Sequence, residues 1–118
     1  MFLVYTETVI FSWDDWNREH IARHGVTPDE AEKIVANATA PFPREEGDGK
    51  YVVWGQTAAG RYLQVVFAYR PHDEVDHESL SLEALMDLSN VAAIPVVYVV
   101  HAMPLTPTML RRYRRQRR

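Results

Sequence analysis

Val9-Ile10-Phe11-Ser12-Trp13-Asp14-Asp15, followed after Trp16 to Ala22 by Arg23-His24-Gly25-Val26-Thr27-Pro28-Asp29-Glu30-Ala31, is the stretch from which the fold is read. Its opening is short, β-branched and aromatic, which predicts a strand. Asp14 or Asp15 supplies an N-cap, and Trp16 to His24 predicts a helix of two to three turns. Gly25 stands where a left-handed residue closes that helix. Thr27-Pro28-Asp29-Glu30 is a capping box with proline at the first helical position, the strongest local signal in the chain. The second helix is expected from Pro28 to about Asn37, burying Ala31, Ile34, Val35 and Ala38.

Working outward, Pro41-Phe42-Pro43 and Glu45 to Gly49 read as a loop. Two strands follow, Tyr51 to Thr57 and Arg61 to Tyr69, joined by a tight hairpin at Ala58-Ala59-Gly60. Leu63, Val65, Phe67 and Tyr69 alternate onto one face, with Arg61 at the hairpin mouth. Val96 to Ala102 is nearly all β-branched and predicts a central strand buried on both faces. Thr106 caps a closing helix, about Thr108 to Arg115, with Pro107 at its first position. Pro71 to Ile94 is longer than a meander needs. His72 to Glu78 is polar, and Ser79 to Ser89 has the spacing of one short helix. The expected class is α+β: a small, mainly antiparallel sheet with two N-terminal helices and a C-terminal helix.

The 118 residues suit a single domain, 1–118, and 47% apolar with 25% charged residues places it among folded globular chains. No cysteine is present, which excludes disulfides, thiolate zinc sites and a cysteine nucleophile. The opening Met1-Phe2-Leu3-Val4-Tyr5 lacks a basic leader and gives way to Thr6-Glu7-Thr8, so no signal peptide is expected. The longest apolar stretch, Val91 to Ala102, is shorter than the roughly 20 residues of a spanning helix and contains Pro95. The expectation is a cytoplasmic protein with no membrane contact.

Charge is distributed unevenly. Seven basic residues against sixteen acidic ones precede Arg111, a net −9, while the last eight residues carry +6. Arg111, Arg112, Arg114 and Arg115 belong to the expected closing helix and are RNA-binding candidates. The acidic body repels RNA elsewhere except at an Arg23–Arg61 corner, so anion binding should be local and steeply salt-dependent.

His20 and His24 stand four apart on one helix face with Trp13, Trp16 and Asn17. The glutamate that follows the first histidine in a metalloprotease is missing, so packing or surface roles are read before a metal one. A metal-dependent hydrolase built from His20, His24 and the 72–78 cluster is kept as a competing class. His24 and His101 titrate near neutrality, and His101 is expected on the face shared with Val97 and Val99. No serine sits in a nucleophile elbow and no glycine-rich phosphate loop occurs. Basic, imidazole and phenolic groups at element ends suit metal-free RNA cleavage. That reaction needs a base, an acid and cationic donors for the phosphorane.

Phe11-Ser-Trp-Asp-Asp with Asn17, the Arg23 to Ala31 segment, the hairpin Tyr51 to Phe67, and the close from His101-Ala102 through Thr106 to Arg115 together resemble the BrnT-type toxins. The resemblance covers nearly the whole chain apart from 71–94, which it makes an insertion. It implies a RelE-like fold and a ribonuclease toxin that inhibits translation as half of a type II toxin–antitoxin pair. It also implies a cognate ribbon-helix-helix, BrnA-like antitoxin that masks the toxin and with it represses the operon. A homodimer or a hetero-tetramer with that antitoxin is the assembly left open. Arg23, His24, Arg61, His101 and Tyr113 fall on the matching motifs and are carried over as phosphate binders and acid–base groups, with no metal and no cofactor. Two positions depart from the pattern. Met103 stands where the family commonly has arginine, and Met109 where it commonly has glutamate. Loss of a guanidinium from an oxyanion site costs about 10²–10³ in rate. The competing reading is therefore a catalytically degenerate relative that only binds a partner or regulates an operon.

Overall fold

The computed structural model describes residues 2–5, 9–71 and 94–117. Within them the class is α+β: a six-stranded, mostly antiparallel sheet with three helices. The strands are β1 (Phe2–Tyr5), β2 (Ile10–Trp13), β3 (Arg44–Gly47), β4 (Lys50–Gln56), β5 (Tyr62–Arg70) and β6 (Val96–Pro104). The helices are α1 (Asp15–Ala22), α2 (Pro28–Ala36) and α3 (Pro107–Gln116). Strand order is β1-β2-β6-β5-β4-β3, and β2 with β6 is the parallel pair.

Each helix starts where the capping chemistry says it should. Asp14 accepts from the Asn17 amide while the Asn17 side chain accepts from the Asp14 amide, a reciprocal box not foreseen there. Thr27 and Glu30 form the expected box on α2, and Thr106 accepts from the Met109 amide on α3. Arg23, His24 and Gly25 lie in the turn beyond α1, and Gly25 has φ +71, so His24 extends the His20 side of α1 from outside the helix.

Two strands lay outside the sequence expectation. β1 pairs with β2. β3, read as loop, is a charged edge strand joined to β4 by Asp48-Gly49, both at positive φ, the backbone of a two-residue hairpin turn. The charged side chains of β3 protect that edge from pairing with another chain.

β6 is central, as its composition predicts, between β2 and β5. One of its faces is buried through Val97, Val99 and Ala102; the other, bearing Tyr98, His101 and Met103, is half-covered. The register explains this. Val66 faces His101 while Phe67 faces Val99, so Val100 is an extra residue in β6, a β-bulge. One extra residue exchanges faces. His101 therefore joins Tyr98 and Met103, not Val97 and Val99 as alternation alone predicts. The core lies on the opposite side, where Leu63, Val65 and Phe67 meet Phe11, Trp13, Val53 and Val97 beneath Ile34 and Val35 of α2. Tyr69, expected in that row, is 47% exposed. The indole of Trp13 donates to Glu32 of α2 at 2.8 Å, and burial raises the Glu32 pKa above its ordinary value. Among the described residues no helix is long and apolar enough to cross a membrane.

Candidate active site

α1 packs along β6 and brings three imidazoles into contact. His20 Nε2 lies 3.2 Å from His101 Nδ1. Ring centroids are 5.4 Å apart for His20 and His101, 4.9 Å for His24 and His101, and 6.3 Å for His20 and His24. The bulge at Val100 makes this possible by turning His101 to the α1 side. Burial, then the neighbouring His24 and His20, pull the His101 pKa below the ordinary imidazole value of 6.5. This favours the neutral ring of His101, which has a lone pair for a proton.

An aromatic ledge flanks the cluster. Trp16 stacks on His20 with centroids 4.8 Å apart and planes within 9°, yet stays 56% exposed. Tyr98 lies 6.5 Å beyond the Trp16 ring and donates its hydroxyl to both carboxylate oxygens of Asp14, each at 3.0 Å. Burial, then that hydrogen bond and the Asp14 charge, push the Tyr98 pKa up to about 12, so Tyr98 does not serve as a proton source near neutrality. Arg70 lies 5.1 Å over the Tyr98 ring and donates to Ser12 Oγ at 3.4 Å.

The other expected site residues divide into two groups. Arg23 is exposed at the end of α1, next in sequence to His24, with no acid paired to it among the described residues. Arg61, from the β4–β5 hairpin, reaches the residue after His24, where its Nη1 donates to the Gly25 carbonyl at 3.0 Å and to both Glu30 oxygens at 3.1 and 2.9 Å. Glu30 closes the α2 capping box as well, so Arg61 ties the turn between α1 and α2 to the β4–β5 hairpin. This occupies much of its capacity for an outside anion.

Tyr113 is elsewhere. It is 6% exposed, with its ring against Phe42, Trp54 and Tyr62 at 6.3, 6.4 and 6.0 Å, and it makes no ring contact with the imidazoles. Arg112 lies 5.9 Å over the Trp54 ring, Arg114 5.7 Å over Tyr62 and Arg117 5.5 Å over Tyr113. Arg111 donates to Thr108, and Arg111, Arg112, Arg114 and Arg115 line a shallow hollow on the outer side of α3. The helix therefore presents its cations in bulk, as the charge split predicts, while its tyrosine is a packing residue in this arrangement.

The two groups share one sheet face. Trp54 pairs with Gln64 and Gln64 with Met103; the next row is Val52, Val66 and His101. Met103 is therefore two residues from His101 on the same face, roughly 7 Å along the strand. A guanidinium placed there points beside the imidazoles. Met109 and Leu105 are partly buried and packed against the core.

Trp16 is the residue that sequence reasoning missed, and His20 was read there only as a packing, surface or metal-ligating residue. The available signal was the four-residue spacing of Trp16, His20 and His24; the missing signal was the bulge that presents His101 to them. Among the described residues no group of three or more histidines or carboxylates is placed to hold the metal of the competing reading. Its 72–78 cluster lies outside them, as does the expected helix at 79–89. No protein-family model matches the chain, and no curated protein matches it.

Proposed function

We propose that this chain is a metal-independent endoribonuclease acting as the toxin of a type II toxin–antitoxin pair, with the imidazole cluster of His20, His24 and His101 as its acid–base centre. The observation that carries this reading is the contact of three imidazoles, one of them with its neutral form favoured. His101 takes the proton of an RNA 2′-hydroxyl as the 2′-oxygen attacks phosphorus. The bond from phosphorus to the 5′-oxygen breaks, and His24 supplies the proton that leaving oxygen needs. The products are a 2′,3′-cyclic phosphate and a 5′-hydroxyl. His20 orients His101 through the 3.2 Å contact, and Arg23 is the nearest cation in sequence for the phosphorane charge. The net −9 of residues 1–110 fits a basic partner of the ribbon-helix-helix kind.

The test is cleavage of a defined RNA in the presence of a chelator. Cyclic phosphate termini and loss of cleavage in His101→Ala are the expected result. Intact RNA with wild-type protein, and with Met103→Arg, sinks the enzyme reading. A binding-only relative is favoured by one observation, the ion pair of Arg61 with Glu30, which ties up a cation of the motif. In that reading a neighbouring gene product is retained on the purified chain without any RNA cleavage.

A further inference from the structure

We propose that the cavity between the end of α2, the end of the β4–β5 hairpin and α3 is a binding site for a nucleoside phosphate. Its volume is about 430 Å³, within the range of small-ligand sites and much larger than a phosphate ion needs. Its charge is of one sign. Lys33, Arg114 and Arg117 line it, and no carboxylate does among the described residues, in a chain whose body is acidic. The nearest acid on α2 is Asp29, 3.2 Å from Lys33 in a pair more than half exposed at both ends, which an incoming phosphate displaces at small cost.

The cations are held in place before any ligand arrives. Arg117 donates to Thr39 Oγ1 at 3.0 Å and lies over the Tyr113 ring, while Arg114 lies over Tyr62. Fixed guanidiniums lose less freedom on binding a phosphate and can meet two of its oxygens at once. The remaining wall is aromatic, with Tyr62 half-buried and Trp54 and Tyr113 buried at 4% and 6% exposure. The open part of the Tyr62 ring beside the two guanidinium planes suits a base joined to a phosphate better than either part alone. Gln56 and Asn37 at the rim add amide groups for a base edge.

The site stands apart from the imidazole cluster and does not rest on the ribonuclease reading: a chain that leaves RNA intact can still bind here. The ligand chemistry is shared by a free mononucleotide and by one nucleotide of an RNA chain. The experiment titrates the full-length protein with adenosine monophosphate, adenosine, inorganic phosphate, polyglutamate and a 2′-O-methyl tetranucleotide that resists cleavage. Adenosine monophosphate should bind one-to-one, about tenfold or more tightly than adenosine or phosphate. In the unsubstituted protein, the amide resonances of Gly55 and Gln56 should move with it. The Arg114→Gln/Arg117→Gln pair should weaken it about tenfold or more, whereas Lys50→Gln, at the other end of β4, should leave it within about twofold.

Tighter binding of the tetranucleotide, in competition with the monophosphate, identifies an RNA unit as the ligand; the reverse order identifies a free nucleotide, and either result upholds the site. The proposal is overturned if Gly55 and Gln56 stay still, if polyglutamate binds as well as the nucleotide, or if Lys50→Gln weakens binding as much as the arginine pair. Resonances of the unsubstituted protein decide the matter even if the double variant does not fold.

Discussion

The imidazole cluster on β6 and the arginine-lined cavity at the end of the β4–β5 hairpin hold their polar groups in opposite ways. At the cluster, ring lies on ring, and burial lowers the His101 pKa, which disfavours its charged form. At the cavity the charges are permanent, because a guanidinium does not release its proton in a protein. A neutral imidazole moves protons and is a poor anchor for phosphate; a guanidinium anchors phosphate and is useless as a base. Proton transfer and anion anchoring are therefore suited to two different places, with Met103 and Gln64 between the His101 and Trp54 positions of the sheet.

The sharpest way to break that division is kinetic. His101→Ala and His24→Ala are expected to lower the cleavage rate constant by about 10²–10⁴, the usual worth of a positioned acid or base. The Arg114→Gln/Arg117→Gln pair is expected to raise KM about tenfold while changing kcat little, the pattern of lost binding rather than lost transition-state stabilisation. Single-turnover cleavage of one labelled RNA measures both. If the arginine pair lowers kcat as severely as the histidine variants, the chemistry extends into the cavity and the division fails.

Tyr113 sharpens the same contrast, since its motif position suggests catalysis and its surroundings suggest packing. Tyr113→Ala empties a place between Phe42, Trp54 and Tyr62 and should cost about 3–5 kcal/mol of stability. Tyr113→Phe keeps the ring and should stay within about 1 kcal/mol with kcat unchanged. Denaturant unfolding and cleavage rates together decide it. A stable Tyr113→Phe protein with no activity would return the phenol to the catalytic group.

The contrast was only half legible beforehand. Capping residues act within a few positions, so Thr27 to Glu30, Thr106 and Gly25 announce their helix boundaries without knowledge of the rest. The arginine face of α3 is equally local, because charge and helical spacing suffice. The cluster is not local. It depends on Val100 being an extra residue opposite β5, and nothing in Val96 to Ala102, a uniform β-branched run, says where register slips. Without the bulge, His101 points into the core and His20 loses its imidazole contact on β6. β3 escaped notice because its charged residues oppose strand propensity; the Asp48-Gly49 turn was the signal that outweighed them.

Glu30→Gln probes the boundary between the two regions at a smaller scale. The substitution keeps the capping geometry but removes the charge that holds Arg61. A half-exposed pair of this kind is worth about 1 kcal/mol or less, so the midpoint of thermal unfolding should fall by only a few degrees. Arg61 then stands beside Gly25 with its charge unneutralised, adjacent to His24. RNA affinity at low salt should rise, with a steeper salt dependence by about one phosphate contact. Unchanged salt dependence would mean that Arg61 stays locked by the Gly25 carbonyl, leaving Arg23 as the one motif cation available to the cluster.

The smallest expected effect is on stability against pH, and it separates the regions most cleanly because arginines do not titrate. The His101 pKa is lowered in the folded chain, first by burial and then by His24 and His20. The unfolded chain therefore binds the more protons between the folded value and the ordinary 6.5. Stability from this group is fully present above 6.5 and is lost as pH falls through the folded value. His101→Gln removes that slope, since its amide does not titrate, while the Arg114→Gln/Arg117→Gln pair leaves it in place. Unfolding midpoints measured from pH 5 to 8 in steps of about half a unit resolve the difference. Parallel curves for wild type and His101→Gln would show that His101 is not the titrating group and remove the physical basis for treating it as the base.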